Sequence, residues 1–169
     1  MAYDQHIQSA RSQVARCVVL TLSDTRTEAN DTSGRAIRQL LESHGHVVVH
    51  HAILKDDPAA LDAKLLELFG SPEVDAILTN GGTGISRRDV TIGVIEKHLD
   101  QPLPGFGELF RMLSWAQIGS GAMLSRAVGG IARGQQIVFA MPGSTKAVEL
   151  AMMKLILPEL KHLLGELHK

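Results

Sequence analysis

The sequence of 169 residues has little cysteine, few aromatic residues and no excess of either charge. Its single cysteine, Cys17, excludes a disulfide framework, and the apolar run around it favours a buried, unreactive thiol in a reducing compartment. The 17 Lys and Arg residues nearly balance the 18 Asp and Glu residues, so no global positive field favours nucleic acid. No run reaches the roughly 18 to 20 apolar residues of a membrane helix. We therefore expect a cytoplasmic protein that binds neither nucleic acid nor membrane.

Histidines are numerous, yet their spacing does not favour a transition-metal site. His46 and His50 would lie about 13 Å apart on one strand, which is too far for both to bind one ion. No Ser/His/Asp or Cys/His arrangement typical of nucleophilic catalysis stands out. The sequence thus offers no sign of either kind of site.

Strand-like and helix-like segments alternate along the chain. Runs rich in β-branched residues predict strands over residues 16–23, 47–54, 74–80 and 136–140. Helical spacing of apolar residues predicts helices over residues 33–44, 58–69, 90–99 and 106–115 and a long final helix, which Pro158 kinks or restarts. Residues 101–105 are interpreted as a break, and glycines leave residues 122–134 unassigned.

This alternation predicts an α/β fold, with a mostly parallel sheet covered by helices on both faces. We expect a single domain over residues 16–169, preceded by an N-terminal extension over residues 1–15. Two helix ends have clear signals: Asp57 caps a helix whose first residue is Pro58, and Gly45 is placed for a left-handed C-terminal cap.

Three glycines follow the third predicted strand within four residues, Gly81–Gly84, a segment called the glycine loop below. Glycines let backbone N–H groups converge on an anion, and the start of a following helix favours negative charge. The segment is neither a dinucleotide fingerprint, because Arg87 stands where a third glycine is needed, nor a Walker A loop, which requires Gly-Lys-Ser/Thr. The loop therefore predicts either a phosphate cradle or a turn without a ligand.

Polar residues follow four of the predicted strands. In open parallel sheets the ligand crevice lies outside the carboxyl ends of the strands. Ser23 and Asp24, Lys55 and Asp56, residues 80–89, and Pro142–Ser144 are therefore expected to share one crevice. Asp56 and Asp89 could hold the Mg²⁺ that accompanies a polyphosphate, since such a metal uses only one or two carboxylates. The alternative for both is helix capping.

Other candidates have equally plain alternatives. Arg87, Arg88 and Arg126 are able to pair with phosphate oxygens, but isolated arginines usually lie on a solvated face. Glu108 has the same ambiguity. The apolar residues between Phe106 and Trp115 favour a core or a subunit interface over a base-stacking platform.

Four separated motifs, in this order and spacing, resemble the MoaB/MogA family of molybdenum cofactor biosynthesis proteins. They are Thr-Asn-Gly-Gly-Thr-Gly-x-x-x-Arg-Asp-Val-Thr at residues 79–91, Pro-Gly-Phe-Gly-Glu-Leu-Phe-Arg at 104–111, Ala-Met-Leu-Ser-Arg-Ala at 122–127 and Met-Pro-Gly-Ser-x-Lys-Ala at 141–147. The likeness extends from about residue 16 to residue 164, and the second and third motifs are more similar to the MoaB branch.

The resemblance implies a three-layer α/β/α sandwich that binds molybdopterin. For active members it implies adenylyl transfer from Mg·ATP to the molybdopterin phosphate, with release of pyrophosphate. By resemblance, Asp56 and Asp89 are the catalytic and Mg²⁺-binding residues. The residues expected to bind substrate are Asn80, Gly81, Gly82, Thr83, Gly84, Arg88, Ser125, Arg126, Pro142, Gly143 and Ser144, with Glu108 near the pterin. The resemblance also implies a homo-oligomer, either a trimer or a hexamer.

Two other functions stay open. One is a molybdopterin-binding or assembly protein without catalysis; the other, which rests on sheet architecture alone, is a flavodoxin-like nucleotide or flavin binder. Two departures from the family pattern matter. Thr91-Ile92-Gly93 stands where Thr-Pro-Glu is common, which predicts a looser helix start. Lys55 replaces the proline before Asp56, which leaves the register of Asp56 against Asp57 open.

Overall fold

The β-branched runs of the sequence form one six-stranded sheet. The computed structural model describes residues 12–133 and 135–169, so the predicted extension lies outside the described residues up to position 11. The strands are β1 (Arg16–Leu22), β2 (Val47–Leu54), β3 (Ala76–Asn80), β4 (Leu99–Pro102), β5 (Val128–Ala132) and β6 (Gln136–Met141). Their order across the sheet is β2-β1-β3-β6-β5-β4.

Strand direction confirms the mostly parallel sheet. β1 pairs in parallel with both β2 and β3, and β3 pairs in parallel with β6. β5 runs antiparallel to its two neighbours, β6 and β4. The carboxyl ends of β1, β2, β3 and β6 therefore meet at one edge of the sheet, and the start of β5 lies at the same edge, since Val128 pairs with Ala140.

Helices cover both faces of the sheet. They are α1 (Thr32–Ser43), α2 (Pro58–Phe69), α3 (Thr91–Glu96), α4 (Pro104–Ile118), α5 (Thr145–Ala151) and α6 (Leu157–Leu167). A 3₁₀ helix over Gly119–Leu124 follows α4, and a π-helical turn over Met152–Ile156 joins α5 to α6. No helix among the described residues is long and apolar enough to cross a membrane.

Two separate apolar cores explain the three layers. Cys17 and Val19 of β1 pack into the core beneath α1, α4, α5 and α6, whereas Val18 and Leu20 pack into the opposite core beneath α2 and α3. Because successive strand residues point to opposite faces, a continuous apolar run is what a strand buried on both sides requires. The three-layer α/β/α sandwich is confirmed.

Three local predictions are also confirmed. Asp57 caps α2 and accepts a hydrogen bond from the Ala59 N–H at 2.8 Å, with Pro58 in the first turn. Gly45 has the positive φ of 81° expected after α1. Cys17 is a fully buried free thiol, and burial raises its pKa to about 12.

The region between residues 90 and 134 differs from prediction. The predicted helix over residues 90–99 is wrong in length, because α3 ends at Glu96 and residues Leu99–Pro102 form the edge strand β4. Proline is tolerated there because an edge strand has one side without a neighbour. The unassigned segment contains β5, whose glycines meet close neighbours: a Cβ on Gly129 would lie 2.6 Å from the Phe139 ring.

The final helix is restarted at Pro158, as one of the two predicted options. The π-helical turn over Met152–Ile156 precedes α6, and Pro158 lies in the first turn of α6, where its missing N–H is not needed. The π-helical turn thus ends one helix and starts the next just before Pro158, where a proline inside a continuous helix would interrupt the backbone hydrogen bonds.

Candidate functional site

The glycine loop lies at the carboxyl edge of the sheet, between the ends of β1 and β6. Gly81 and Gly82 have positive φ values of 92° and 63°, which side chains rarely permit. A Cβ on Gly81 would lie 2.2 Å from the Leu22 carbonyl oxygen. The Gly81 N–H also donates to the Met141 carbonyl at 3.1 Å. The loop is therefore fixed against two neighbouring strand ends.

Thr91 ties the glycine loop to the start of α3. Its hydroxyl donates to the Gly81 carbonyl at 2.9 Å, and its N–H donates to the Gly82 carbonyl at 3.0 Å. The helix cap, Val90, offers no side-chain hydrogen bond, and α3 has only six residues. Ile92 stands at the position of the common proline, and the helix that begins here is short and held at its start by Thr91.

Asp56 faces the glycine loop. Its neighbour Asp57 caps α2, which settles the register of the two carboxylates. A Cβ on Gly82 would lie 3.0 Å from Asp56 Oδ1. That oxygen is buried and has no hydrogen-bond partner among the described residues. Burial and the nearby charge of Asp24 raise the pKa of Asp56 above its usual value.

Asp89 lies beside Gly84, at the end of the glycine loop, and is not the cap of α3. Its Oδ2 accepts a hydrogen bond from the Ser86 N–H at 2.9 Å. Hydrogen bonds from Ser86 lower the pKa of Asp89, so this carboxylate stays charged, and its charge contributes to the raised pKa of Asp56. The structure therefore brings the two predicted carboxylates within electrostatic reach of each other.

The two carboxylates suit a metal that is shared with a phosphate ligand. Within residues 12–133 and 135–169, no three His, Cys, Asp or Glu side chains form a group able to hold a metal ion. Mg²⁺ bound to phosphates needs only one or two protein carboxylates. The unpartnered oxygen of Asp56 is a ligand of the right chemistry, so the residues present fit Mg²⁺ with a polyphosphate.

Arg126 stabilises the glycine loop through its backbone carbonyls. Its Nε donates to the Thr83 carbonyl at 2.9 Å, and its Nη2 contacts the carbonyls of Gly84 and Asp89. Arg88 has a side chain that is 76% exposed and forms an ion pair with Asp24. Of the two arginines expected to bind substrate, Arg88 is therefore the one that is free to move toward a ligand.

Asn80 lies beneath the glycine loop. It is fully buried; its Oδ1 accepts from the Ser33 hydroxyl at 2.7 Å, and its Nδ2 donates to Thr21 Oγ1 at 2.9 Å. Both ends of the amide are thus used inside the protein. Asn80 holds the loop in place, and a direct contact of its side chain with substrate would break these bonds.

The loop after β6 contacts the glycine loop. A Cβ on Gly143 would lie 3.1 Å from the Gly81 Cα, so the two backbones pass closely. Gly143 also accepts a hydrogen bond from Arg26 Nη2 at 2.5 Å. Ser144 caps α5 and accepts from the Ala147 N–H at 3.2 Å. Pro142–Ser144 therefore lies next to the glycine loop at the carboxyl edge of the sheet.

Glu108 lines a separate recess of about 440 Å³ between α4 and strands β4 and β5. Arg111 and Gly107 line it from α4, and Ala127 lines it from the start of β5. Ser125 and Arg126 immediately precede Ala127. The recess thus lies on the same edge of the sheet as the glycine loop, with Arg126 between them.

Sequence reasoning did not find the residues that brace the crevice, namely Thr21, Arg26, Asp31, Ser33 and His51. Asp31 forms an ion pair with Arg26 at 3.2 Å and contacts His51 at 3.1 Å. It is also the cap of α1. In the sequence, Asp31-Thr32-Ser33 precedes a helical pattern, and this indicates only that Asp31 caps a helix.

The fold and the crevice together define a class: a three-layer α/β/α protein with a glycine loop and two carboxylates at the carboxyl edge of its sheet. Comparison with known proteins identifies a family that shares this fold. The family model described as "Probable molybdopterin binding domain" matches residues 18–162. The chain is 51% identical to molybdenum cofactor biosynthesis protein B of Bacillus cereus, over 100% of this chain and 99% of that protein.

Solved structures show the same relationship. A crystal structure of molybdenum cofactor biosynthesis protein B is 52% identical, with a TM-score of 0.89 over 92% of this chain and 97% of that one. The tungsten cofactor synthesizing protein MoaB from Pyrococcus furiosus is 36% identical, with a TM-score of 0.83 over 93% and 99% of the two chains. The chain belongs to the MoaB/MogA family of molybdenum cofactor biosynthesis proteins, on the MoaB branch.

Proposed function

We propose that the protein is a molybdopterin adenylyltransferase. An oxygen of the molybdopterin phosphate attacks the α-phosphorus of ATP, the bond from that phosphorus to the pyrophosphate breaks, and pyrophosphate leaves. The observation that carries the proposal is the buried, unpartnered Oδ1 of Asp56 beside the glycine loop. A buried carboxylate oxygen without a partner is costly, and a bound cation would complete this one.

Asp56 and Asp89 would hold Mg²⁺ together with the phosphates of ATP. When bound, the metal neutralises the charge of the triphosphate and polarises its oxygens. The opposite pKa shifts of the two carboxylates fit this role, since the charge of a bound cation favours the ionised form of Asp56. Asp89 is already ionised and fixed by Ser86.

The glycine loop would receive the phosphate of molybdopterin. Because the nucleophile is already anionic, the protein needs only to position it and to balance its charge. Glycines at 81 and 82 let the loop backbone pass close to Leu22 and Asp56, where side chains would not fit. Arg88, whose guanidinium is exposed beside Asp24, would supply positive charge.

The recess beside Glu108 would hold the pterin. Its volume of about 440 Å³ falls in the range of small-molecule sites, roughly 300 to 1,000 Å³. A pterin carries ring N–H and amino donors that a carboxylate can accept, and Glu108 lines this recess. Ser125 and Arg126 connect the recess to the glycine loop, so one substrate could span both.

A homo-oligomer, trimer or hexamer, belongs to the same proposal. The side of α4 opposite the core exposes Met112, Trp115 and Ile118, with exposed fractions of 62%, 63% and 56%. Met123 and Leu124 in the following 3₁₀ helix are also exposed. Exposed apolar residues grouped in this way are typical of subunit interfaces.

The assay that tests the proposal is pyrophosphate release from ATP in the presence of Mg²⁺ and molybdopterin. We expect release only when all three are present, with one pyrophosphate for each adenylylated molybdopterin. Tight molybdopterin binding without pyrophosphate release would instead support the second candidate, a non-catalytic molybdopterin-binding or assembly protein. The retention of both Asp56 and Asp89 in one crevice favours the enzyme.

A further inference from the structure

We infer that Asp31, acting through Arg26, is a positioning residue that holds the two crevice loops at their working separation. The loops are the glycine loop after β3 and Pro142–Ser144 after β6. The inference rests on the proposed function for its kinetic readout, but the geometry behind it is independent of any substrate.

Asp31 is fully buried, and both of its carboxylate oxygens accept hydrogen bonds from neighbouring residues. We call Asp31 with these partners the hub. Oδ1 accepts from the Gly34 N–H at 3.0 Å and from Arg26 Nη1 at 3.2 Å. Oδ2 accepts from the Thr21 hydroxyl at 2.7 Å and lies 3.1 Å from His51 Nε2. The hub thus joins β1, α1 and β2 at the carboxyl edge, and its hydrogen bonds outweigh the effect of burial and lower the pKa of Asp31.

One arm of the hub reaches the glycine loop. Thr21 donates to Asp31 and accepts from Asn80 Nδ2 at 2.9 Å, while Ser33 donates to Asn80 Oδ1 at 2.7 Å. Asn80 is the last residue of β3 and is followed directly by Gly81. The position at which the glycine loop leaves the sheet is therefore set by a chain of buried hydrogen bonds that ends on Asp31.

The second arm reaches the loop after β6. Arg26 pairs with Asp31 through Nη1 and donates from Nη2 to the Gly143 carbonyl at 2.5 Å. Its planar guanidinium sets the angle between these two contacts, which a lysine would not do. Arg26 thus transmits the position of Asp31 to Gly143.

The two arms meet again where the loops contact each other. A Cβ on Gly143 would lie 3.1 Å from the Gly81 Cα, so the two backbones pass closely. The Gly81 N–H also donates to the Met141 carbonyl at 3.1 Å, immediately before the second loop. The arms from Asp31 add attachments from β1, α1 and Arg26 to this direct contact, and together they fix the distance between the two loops. Such preorganisation acts on the rate, because reacting groups must be held within a fraction of an ångström.

A matched pair of arginines allows a clean test. Arg26 pairs with the buried Asp31 at the carboxyl edge, whereas Arg16 pairs with the buried Asp75 at 2.8 Å at the amino edge of the same sheet. Arg26→Gln and Arg16→Gln therefore each remove one arginine–aspartate pair from β1 or the loop that follows it. Only the first change disturbs the crevice.

The experiment compares both variants with the parent protein in pyrophosphate release, molybdopterin binding and Tm. We expect Arg26→Gln to lower kcat by on the order of 10- to 100-fold, with Arg26→Lys recovering only part of the loss. Arg16→Gln should lower Tm by a similar amount and leave kcat unchanged. Equal kcat losses in the two variants, or none in Arg26→Gln, would overturn the inference.

Binding keeps this test separate from the test of the proposed function. If the parent protein releases no pyrophosphate, adenylylation fails as a function, yet the inference still predicts that Arg26→Gln weakens molybdopterin binding and that Arg16→Gln does not. Equal molybdopterin affinities for both variants would then refute it. Asp31→Asn is a second probe, because its amide NH2 must face either the donors of Gly34 and Arg26 or those of Thr21 and His51. We expect it to weaken molybdopterin binding as Arg26→Gln does, and a parent-like affinity would refute the inference.

Discussion

Adjacent aspartates at the end of β2 show how the same side chain takes different roles. Asp57 stabilises a helix, and the Asp-Pro pair in the sequence predicted this without knowledge of the fold. Asp56 owes its properties to Gly82 and Asp24, which come from other parts of the chain. Its role was suggested by resemblance, but its burial and unpartnered oxygen were not predictable from neighbours in sequence.

Asp56 gives a prediction about stability. Its raised pKa means that the folded protein disfavours the charged carboxylate, so this group costs stability as the pH rises through that pKa. Asp56→Asn should therefore have a higher Tm than the parent at pH 7. The difference should shrink below about pH 4, where the carboxylate is protonated in both the folded and unfolded states. Thermal unfolding without ligand at several pH values measures this, and a lower Tm at pH 7 would contradict it.

Asn80 and Arg126 show what a resemblance of motifs does not predict about single residues. Both were expected to bind substrate because they stand in the right motifs. In the structure the Asn80 amide hydrogen-bonds to Ser33 and Thr21, and the Arg126 guanidinium donates hydrogen bonds to carbonyls of the glycine loop. The motifs therefore bring these residues to the carboxyl edge of the sheet, but they do not separate residues that could contact a ligand from residues that hold the backbone.

At the scale of elements, the sequence predicted strands that are rich in β-branched residues and missed those that are not. β1 and β6 are largely apolar, β2 begins with three valines and β3 with Ala76-Ile77-Leu78, whereas β4 contains Pro102 and β5 contains Gly129 and Gly130. Proline and glycine are depleted in strands, so local pattern argues against both elements. Tertiary structure explains why proline and glycine occur in these two strands. β4 lies at the sheet edge, and β5 passes close to Phe139 and Gln101.

β5 accordingly provides a packing prediction. In Gly129→Ala, the new methyl group would lie 2.6 Å from the Phe139 ring and 3.2 Å from the Phe106 ring. Because both rings lie in a filled core, we expect a loss of about 1–3 kcal/mol in the free energy of unfolding. Chemical denaturation measures this loss. Gly105→Ala is a suitable control, since nothing lies within 4 Å of its Cβ position; an equal loss in the control would contradict the packing explanation.

At the scale of the whole molecule, the sheet brings distant segments to one edge. The parallel strands place Asp56, the glycine loop and Pro142–Ser144 together although Asp56 and Pro142 are 86 positions apart in the sequence. Strand alternation in the sequence was enough to predict this gathering. It was not enough to predict the hub at Asp31, because its partners lie on different elements and carry no shared pattern.

The exposed apolar side of α4 leads to a prediction about assembly. We expect the parent protein to be a trimer or a hexamer in solution, and Trp115→Glu to shift it toward the monomer, because a charge placed in an apolar interface is costly. Light scattering of both proteins measures this. Glu67→Gln, an exposed change on α2 at the opposite face of the sheet, serves as a control. A monomeric parent would refute the proposed assembly.

The central claim is that Asp56 serves adenylyl transfer, and Asp57 supplies the matched control. Asparagine caps helices as well as aspartate does, so Asp57→Asn removes one charge next to Asp56 while keeping α2 capped. The most direct measurement is the rate of Mg²⁺- and molybdopterin-dependent pyrophosphate release for Asp56→Asn and Asp57→Asn. We predict that Asp56→Asn loses at least on the order of 100-fold in kcat while Asp57→Asn keeps the parent rate. Equal rates in the two variants would contradict the account.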